Sequence, residues 1–278
     1  MVWLSSRRGV ALASAVVGLT LSGLFIAGAL GMLIAIGRTG QAHMEQAAAR
    51  ASARLAVQVG LAELGHLGTL RGSDILSAQP SAVVYRAGRG TALLCGTTVD
   101  GVLLEAARFR ALRLPAAGRD SLEFTMPGPS PGWAWNAVAV SGPTRTATCP
   151  DGAPAIAVPT SPVPAPSTAA PDRLAVRLFE VMELRAYSSG GQSWLGLRAV
   201  GTGEAIQPVL GPLASGGFLL EYFDATGTPA ASVLDVRRIR LTIRVLTDAT
   251  VAAGGLGRAA GGGAARVSTE FAIAGAAP

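Results

Sequence analysis

Few side chains in this sequence have both the type and the spacing that catalysis or metal binding requires. The two histidines, His43 and His66, fall in a helix-like segment without partners at metal-ligand spacing, so both are interpreted as solvated helix residues. Glu180 and Glu183 look like a carboxylate pair, but their odd separation on a strand-like segment places them on opposite faces. Because acid–base catalysis needs convergent groups, the sequence predicts neither an enzyme nor a cofactor.

Neither the glycine-rich stretch nor the positive charge indicates nucleotide or nucleic-acid binding. Gly254–Gly263 does not connect a strand to a helix, as a dinucleotide-binding loop does, and is interpreted as a low-complexity loop. The formal net charge is +6, and all 23 basic residues are arginines, scattered along the chain. One dense group lies in a strand-like pattern, at Arg237, Arg238, Arg240 and Arg244. No nucleic-acid partner is therefore expected.

The two cysteines, Cys95 and Cys149, are too few for a disulfide scaffold or a metal site. If this part of the chain is exported, a single bridge between them is expected. On the loop-entropy model such a bridge would stabilise the fold by roughly 4 kcal/mol. Two unrelated buried thiols are the alternative.

The element that must carry all downstream groups is an N-terminal apolar run. Met1–Gly9 has charges only at Arg7 and Arg8, and Val10–Gly37 then gives 28 residues without a charge. As a helix this run is about 42 Å long, more than the roughly 30 Å of a bilayer core. The N-terminal positive flank predicts a single membrane span with Met1 in the cytoplasm and the rest outside. A cleaved signal peptide is the alternative, but its apolar region is usually about 7–15 residues.

One face of the predicted span carries small residues at every fourth position. Gly23, Ala27, Gly31 and Ala35 would let the backbone of another helix approach closely. The alternative is chance, because a segment rich in Ala and Gly produces such rows without a packing role.

After Arg38 the helical spacing continues without proline to about Leu64, and we assign 10–67 to one transmembrane and stalk helix. Its outer half is expected to pack on the head through an apolar stripe. The predicted stripe comprises Met44, Ala48, Ala51, Leu55, Val59 and Ala62.

Residues 68–278 are predicted to form an antiparallel, β-rich head, so the fold class is α+β. The candidate strands are Ala82–Arg86, Ala92–Cys95, Val102–Ala106, Ser121–Met126, Trp135–Val140, Arg173–Tyr187, Trp194–Val200, Phe218–Asp224, Ile239–Val245 and Val267–Ile273. Within it, the proline-rich segment 150–171 is expected to be an exposed loop or linker that packs no core.

The leader, the long apolar run, the amphipathic helix and the β-rich body together resemble a type IV pilin-like prepilin. The segment from Phe218 to Pro229 and the following Val236–Ile243 are similar to large minor pilins of the PilW type and to pseudopilin J of type II secretion. The resemblance implies that a prepilin peptidase cuts after Gly9 and that the new N-terminus, Val10, is methylated. It also implies inner-membrane insertion and packing of the helix on other pilin-like subunits.

One position departs from the family pattern. Ser14 stands where most members carry a glutamate that is thought to meet the N-terminal amine of a neighbouring subunit. Its absence suits a subunit at a filament tip or in a priming complex. The sequence thus predicts a minor pilin-like structural subunit; the alternative is an uncleaved single-pass membrane protein whose extracytoplasmic head binds a ligand.

Overall fold

The computed structural model describes residues 5–68, 73–127, 133–164, 174–246 and 264–273. The chain divides into two compact units, Met1–Ala51 with Leu246–Ala265, and Ser52–Val245 with Arg266–Pro278. We call the second unit the head unit. It includes the last turns of the N-terminal helix, so the end of that helix folds with the strands.

A single helix, α1, runs from Ser5 to Leu64 and begins inside the predicted leader rather than near Val10. Its most apolar window has a mean hydropathy of 2.2 and none of that window is buried, so α1 is long and apolar enough to cross a membrane. The helix ends at Gly65, whose N–H donates to the Leu61 carbonyl at 2.8 Å. A Cβ at Gly65 would lie 2.5 Å from that carbonyl oxygen, so glycine fits this stop.

The prediction that the apolar stripe of the stalk would pack on the head was wrong. Its members Met44, Ala48, Ala51, Leu55 and Ala62 are exposed, and Val59 is half-buried. The head unit instead buries Ala53, Ala56, Val57, Gly60 and Leu64. Small residues lie on the buried face because α1 approaches the sheet closely: a Cβ on Gly60 would lie 2.5 Å from Leu241 Cδ2.

Thirteen strands follow in the described residues, with one 3₁₀ turn at Ala106–Arg108. They are β1 (Ile75–Gln79), β2 (Ala82–Thr97), β3 (Gly101–Glu105), β4 (Arg110–Ala111), β5 (Asp120–Pro127), β6 (Trp133–Val140), β7 (Arg145–Thr148), β8 (Pro154–Ser161), β9 (Leu174–Ser189), β10 (Gln192–Ala199), β11 (Gln207–Phe223), β12 (Arg238–Leu246) and β13 (Ala264–Ala272). The predicted layout of one long helix followed by an antiparallel β-rich head is confirmed.

The strands are arranged around one long antiparallel pair, β2 with β9, which runs from Ala82↔Arg185 to Leu94↔Leu174 with one register shift, between Gly88 and Gly90. One half of this pair belongs to an open sheet with the order β1-β2-β9-β10-β11-β12-β13. The other half closes a ring, because β2 pairs β3, β3 pairs β8, β8 pairs β6, β6 pairs β5 and β5 pairs β9. The head therefore combines a six-stranded barrel with an open sheet, and the last turns of α1 pack on that sheet.

Alternate residues of the six ring strands point into the barrel and form its core. That core comprises Ala92, Leu94, Val102, Leu104, Leu122, Phe124, Val138, Val140, Val158, Leu174, Val176 and Leu178. Because the six strands close into a ring, none of them leaves an unpaired edge along the ring, and the apolar side chains are enclosed inside it.

The proline-rich segment 150–171 was predicted to be a loop, and this is wrong for Pro154–Ser161, which form β8. The prolines are tolerated because Pro154 is the first residue of the strand and Pro159 falls between the residues that pair with β7 and those that pair with β6. Ala155, Ala157, Val158 and Thr160 are buried. Residues 165–171, like Gly254–Gly263, lie outside the described residues.

Candidate assembly helix and buried ion-pair network

The row of small residues predicted to meet another helix is open on α1. Gly23, Ala27, Gly31 and Ala35 are all exposed. A Cβ built on Gly23 or Gly31 would meet no atom within 4 Å. This face can therefore accept a second helix at short interaxial distance.

Two threonines of α1 direct their hydroxyls to carbonyl groups of the preceding turn of the helix. The Thr20 hydroxyl lies 3.0 Å from the Val16 carbonyl oxygen and 2.9 Å from that of Val17, and the Thr39 hydroxyl donates to Ala35 at 2.9 Å. Such back-bonding suits a helix in lipid, where no water is available to these groups. The predicted processing residues Gly9 and Val10 lie within the first turns of α1, and Ser14, exposed, lies in the next turn.

Polar contacts join the end of α1, and the residues just after it, to the strands of the head. Tyr85 of β2 donates its hydroxyl to Glu63 at 2.8 Å. Burial raises the pKa of Tyr85 well above its ordinary value, and the Glu63 carboxylate adds to this effect, so the phenol stays protonated. Beyond the helix, the Gly68 N–H donates to Asp74 at 2.7 Å.

Glu180 on β9 is the centre of the first buried ion-pair network. It follows Leu178 by two residues, so it lies on the barrel-core face of β9 at the mouth of the ring. Its side chain is 2 % exposed and receives Arg89 Nε at 2.9 Å and Arg119 Nε, while Arg113 Nη2 lies 3.6 Å away. Three arginines thus compensate one buried carboxylate.

Asp120 explains why three cations gather at this point. It lies directly opposite Glu180 in the β5–β9 register, so two buried carboxylates face each other. Arg113 bridges them: it donates to both Asp120 oxygens, at 2.9 Å from Nη2, and the Asp120 hydrogen bond is the main reason why the pKa of Arg113 is raised. Arg119 also extends outward to exposed Glu204 at 3.3 Å.

A second network lies on the opposite face of β9, around Arg177. Its guanidinium binds Asp74 through two hydrogen bonds of 2.7 and 3.0 Å and lies 3.6 Å from Glu123. Arg86 lies 3.5 Å from Glu123 and stacks over the Phe179 ring at 5.4 Å from its centroid. Because Asp74 also binds Gly68, this network reaches the end of α1 as well.

The structure contains the Cys95–Cys149 disulfide, with Cα atoms 5.7 Å apart. It joins β2 to the turn before β8 and lies against a small apolar cluster that includes Leu103, Ala155 and Ala157. The bridge therefore fastens one end of the barrel.

The other residues that suggested chemistry from sequence do not converge. His43 and His66 are both exposed. Glu183 pairs with Arg198 at 2.5 Å and Arg185 at 3.5 Å, separate from the Glu180 network. Among the described residues no group of three or more His, Cys, Asp or Glu side chains is placed to hold a metal ion.

Sequence reasoning missed both ion-pair networks. The available signal was a charge inside a strand whose alternate neighbours are all apolar, as for Glu180 between Leu178 and Met182. A carboxylate on such a face must be paired when the strand is buried on both sides. Which arginines pair with it depends on the closure of the ring, which no local pattern contains.

Comparison of this chain with protein-family models, with characterised proteins and with solved structures finds no match.

Proposed function

We propose that this chain is a membrane-anchored, minor pilin-like structural subunit of a type IV pilus or a type II secretion pseudopilus. Its function is assembly: α1 packs on the helices of other pilin-like subunits, and the head supplies contacts at or near a tip or in a priming complex. The observation that carries this proposal is α1 itself. It is one helix that is apolar and unburied near its start and packed on an antiparallel sheet at its end.

Two further observations support an inner-membrane anchor with the head outside the cytoplasm. The positive residues Arg7 and Arg8 precede the apolar run, as expected for a cytoplasmic N-terminus. The Cys95–Cys149 disulfide is a bond that persists in oxidising compartments and is rare in the cytosol.

The position of Ser14 favours a subunit with a specialised place in the filament. A carboxylate at bilayer depth costs roughly 2.5–3.5 kcal/mol unless it is paired, for example with the N-terminal amine of the subunit it docks on. A chain with Ser14 makes no such pair, so it inserts without that cost and without that contact. This fits a subunit that starts or caps an assembly.

The proposal is tested at Gly9. Co-expression of the full chain with an active prepilin peptidase is expected to remove Met1–Gly9, measured as an intact-mass shift against an inactive peptidase. Gly9→Val is expected to block the cut. Gly18→Val is the matched control, because a Cβ at Gly18 meets no atom within 4 Å and the site lies outside the leader.

A chain that keeps Met1 in the presence of active peptidase would refute the pilin-like function. That result would instead favour the other class, an uncleaved single-pass membrane protein with a ligand-binding extracytoplasmic head. Processing that persists in Gly9→Val would show that the cut does not follow Gly9, and the leader would then give no support to a pilin-like function.

A further inference from the structure

A groove on the head unit lies apart from α1 and from the disulfide. Its volume is about 620 Å³, within the roughly 300–1,000 Å³ of small-molecule sites. Its floor is formed by β2 and β9, where Gly88, Gly90 and Thr91 lie beside Ala175 and Val176. Because the β2 residues here are glycines or small, the backbone of the strand pair stays accessible.

Three arginines and no acidic residue line the groove within the described part of the chain: Arg108, Arg110 and Arg177. Asp74, at 2.7 and 3.0 Å, and Glu123, at 3.6 Å, neutralise the charge of Arg177 and hold its side chain in place at one side of the groove. Arg108 and Arg110 are exposed and form no ion pair with any described residue. The groove therefore presents two uncompensated positive charges.

Arg110 is held in place before any ligand binds. Its Nη1 donates to the carbonyls of Ala107 at 3.0 Å and Phe109 at 3.1 Å, and its other guanidinium N–H groups donate to no residue of the described part of the chain. Gly90 allows this position, because a Cβ there would lie 2.6 Å from the Arg110 carbonyl oxygen and would push β4 away. Such pre-organisation lowers the entropy cost of binding.

We propose that this groove binds a ligand with two neighbouring oxyanionic groups, one for each of Arg108 and Arg110. Guanidinium groups match the planar oxygen pairs of phosphates and carboxylates and bind them through two parallel hydrogen bonds. A concave surface of one charge sign also concentrates the opposite charge. The shared chemistry is the paired oxyanion, whether it comes from a diphosphate or a polycarboxylate.

The test is calorimetric titration of the full chain in non-ionic detergent at low ionic strength, with pyrophosphate in one arm and citrate in the other. Arg108→Gln and Arg110→Gln are each expected to weaken binding about tenfold or more, because each variant removes a charge-assisted hydrogen bond to the ligand. Both side chains are exposed, so these variants are expected to keep the fold, which circular dichroism of each variant checks. Arg244→Gln, which removes an exposed arginine on β12, is the matched control and is expected to bind as the wild type does.

Binding of pyrophosphate alone identifies a phosphate-bearing ligand, and binding of citrate alone a carboxylate-bearing one. The proposal is overturned if neither probe binds at millimolar concentration. It is also overturned if Arg244→Gln weakens binding as much as the groove variants do, because the interaction would then follow net charge alone.

Discussion

The sharpest test of the buried network is the replacement of Glu180 by glutamine, which keeps the shape of the side chain and removes its charge. Glu180 is 2 % exposed and is approached by Arg89, Arg113 and Arg119. In the variant, Asp120 is the remaining carboxylate of the facing pair, and the three arginines lose the charge of Glu180. The NH₂ group of the new amide also faces guanidinium groups, which can only donate hydrogen bonds. We expect the head unit to lose stability.

The size of the effect follows from how much of each partner water can reach. Removal of one partner from a fully buried pair costs about 3–5 kcal/mol. The three arginines are 27–37 % exposed, so each is partly resolvated after the change. The lower end of the range, about 3 kcal/mol, is therefore expected, which is roughly a hundredfold in the unfolding equilibrium constant.

The chain contains a matched control for this measurement. Glu204 also binds Arg119, at 3.3 Å, but its side chain is 46 % exposed. Glu204→Gln removes the same charge from the same arginine and is expected to cost at most about 1 kcal/mol, as exposed ion pairs do. Urea denaturation of the full chain in non-ionic detergent, followed by circular dichroism of the strands, compares the two variants. Equal costs for Glu180→Gln and Glu204→Gln would refute the argument from burial.

Two further predictions concern the turn after β11 and the open face of α1. The Thr226 hydroxyl, and then the backbone N–H groups of the turn, hold the pKa of Asp224 below its ordinary value of 3.8; the turn is thus stabilised above that pH and loses these bonds as pH falls below it. Thr226→Val should raise the NMR titration midpoint of the Asp224 carboxyl, and an unchanged midpoint would contradict the assignment. The double variant Gly23→Leu, Gly31→Leu should reduce co-purification of identified prepilin-like subunits from detergent-solubilised membranes, because it fills the small-residue face. Gly18→Leu, roughly 160° round the helix from that face, is the control, and an equal loss from it would exclude a face-specific contact.

The sequence predicted the layout of the fold because its strongest signals are local. An uncharged run of 28 residues and the alternation from Ile239 to Val245 each identify one element without knowledge of its partners. The buried face of the stalk was missed for a different reason. In a helix rich in Ala and Gly, apolarity hardly differs between faces. The buried face is the one where the close approach of Leu241 requires small Gly60, whereas the larger Leu55 is exposed.

Closure of the barrel could not be predicted, because it depends on contacts far apart in sequence. β8 is held by β3 through Gly101↔Pro159 and by β6 through Val140↔Thr160, and neither register has a turn signal. The same closure sets Asp120 opposite Glu180. From sequence we could therefore locate α1, whose features lie along one helix, and the cysteine pair Cys95 and Cys149, but not the ion-pair networks.

The two ion-pair networks show how the head is held on the end of α1. Three of the five buried helix residues, Ala53, Ala56 and Gly60, carry few carbon atoms, so the stabilisation from the apolar area that they remove from water, at about 25 cal/mol per Å², is small. Directional contacts compensate for this. Glu63 binds Tyr85 and, at 3.8 Å, Arg89 of the Glu180 network, while Gly68 binds Asp74 of the Arg177 network. Both networks converge on β9, the strand shared by the sheet and the barrel, so the end of the helix is fixed to the strand around which the whole head is built.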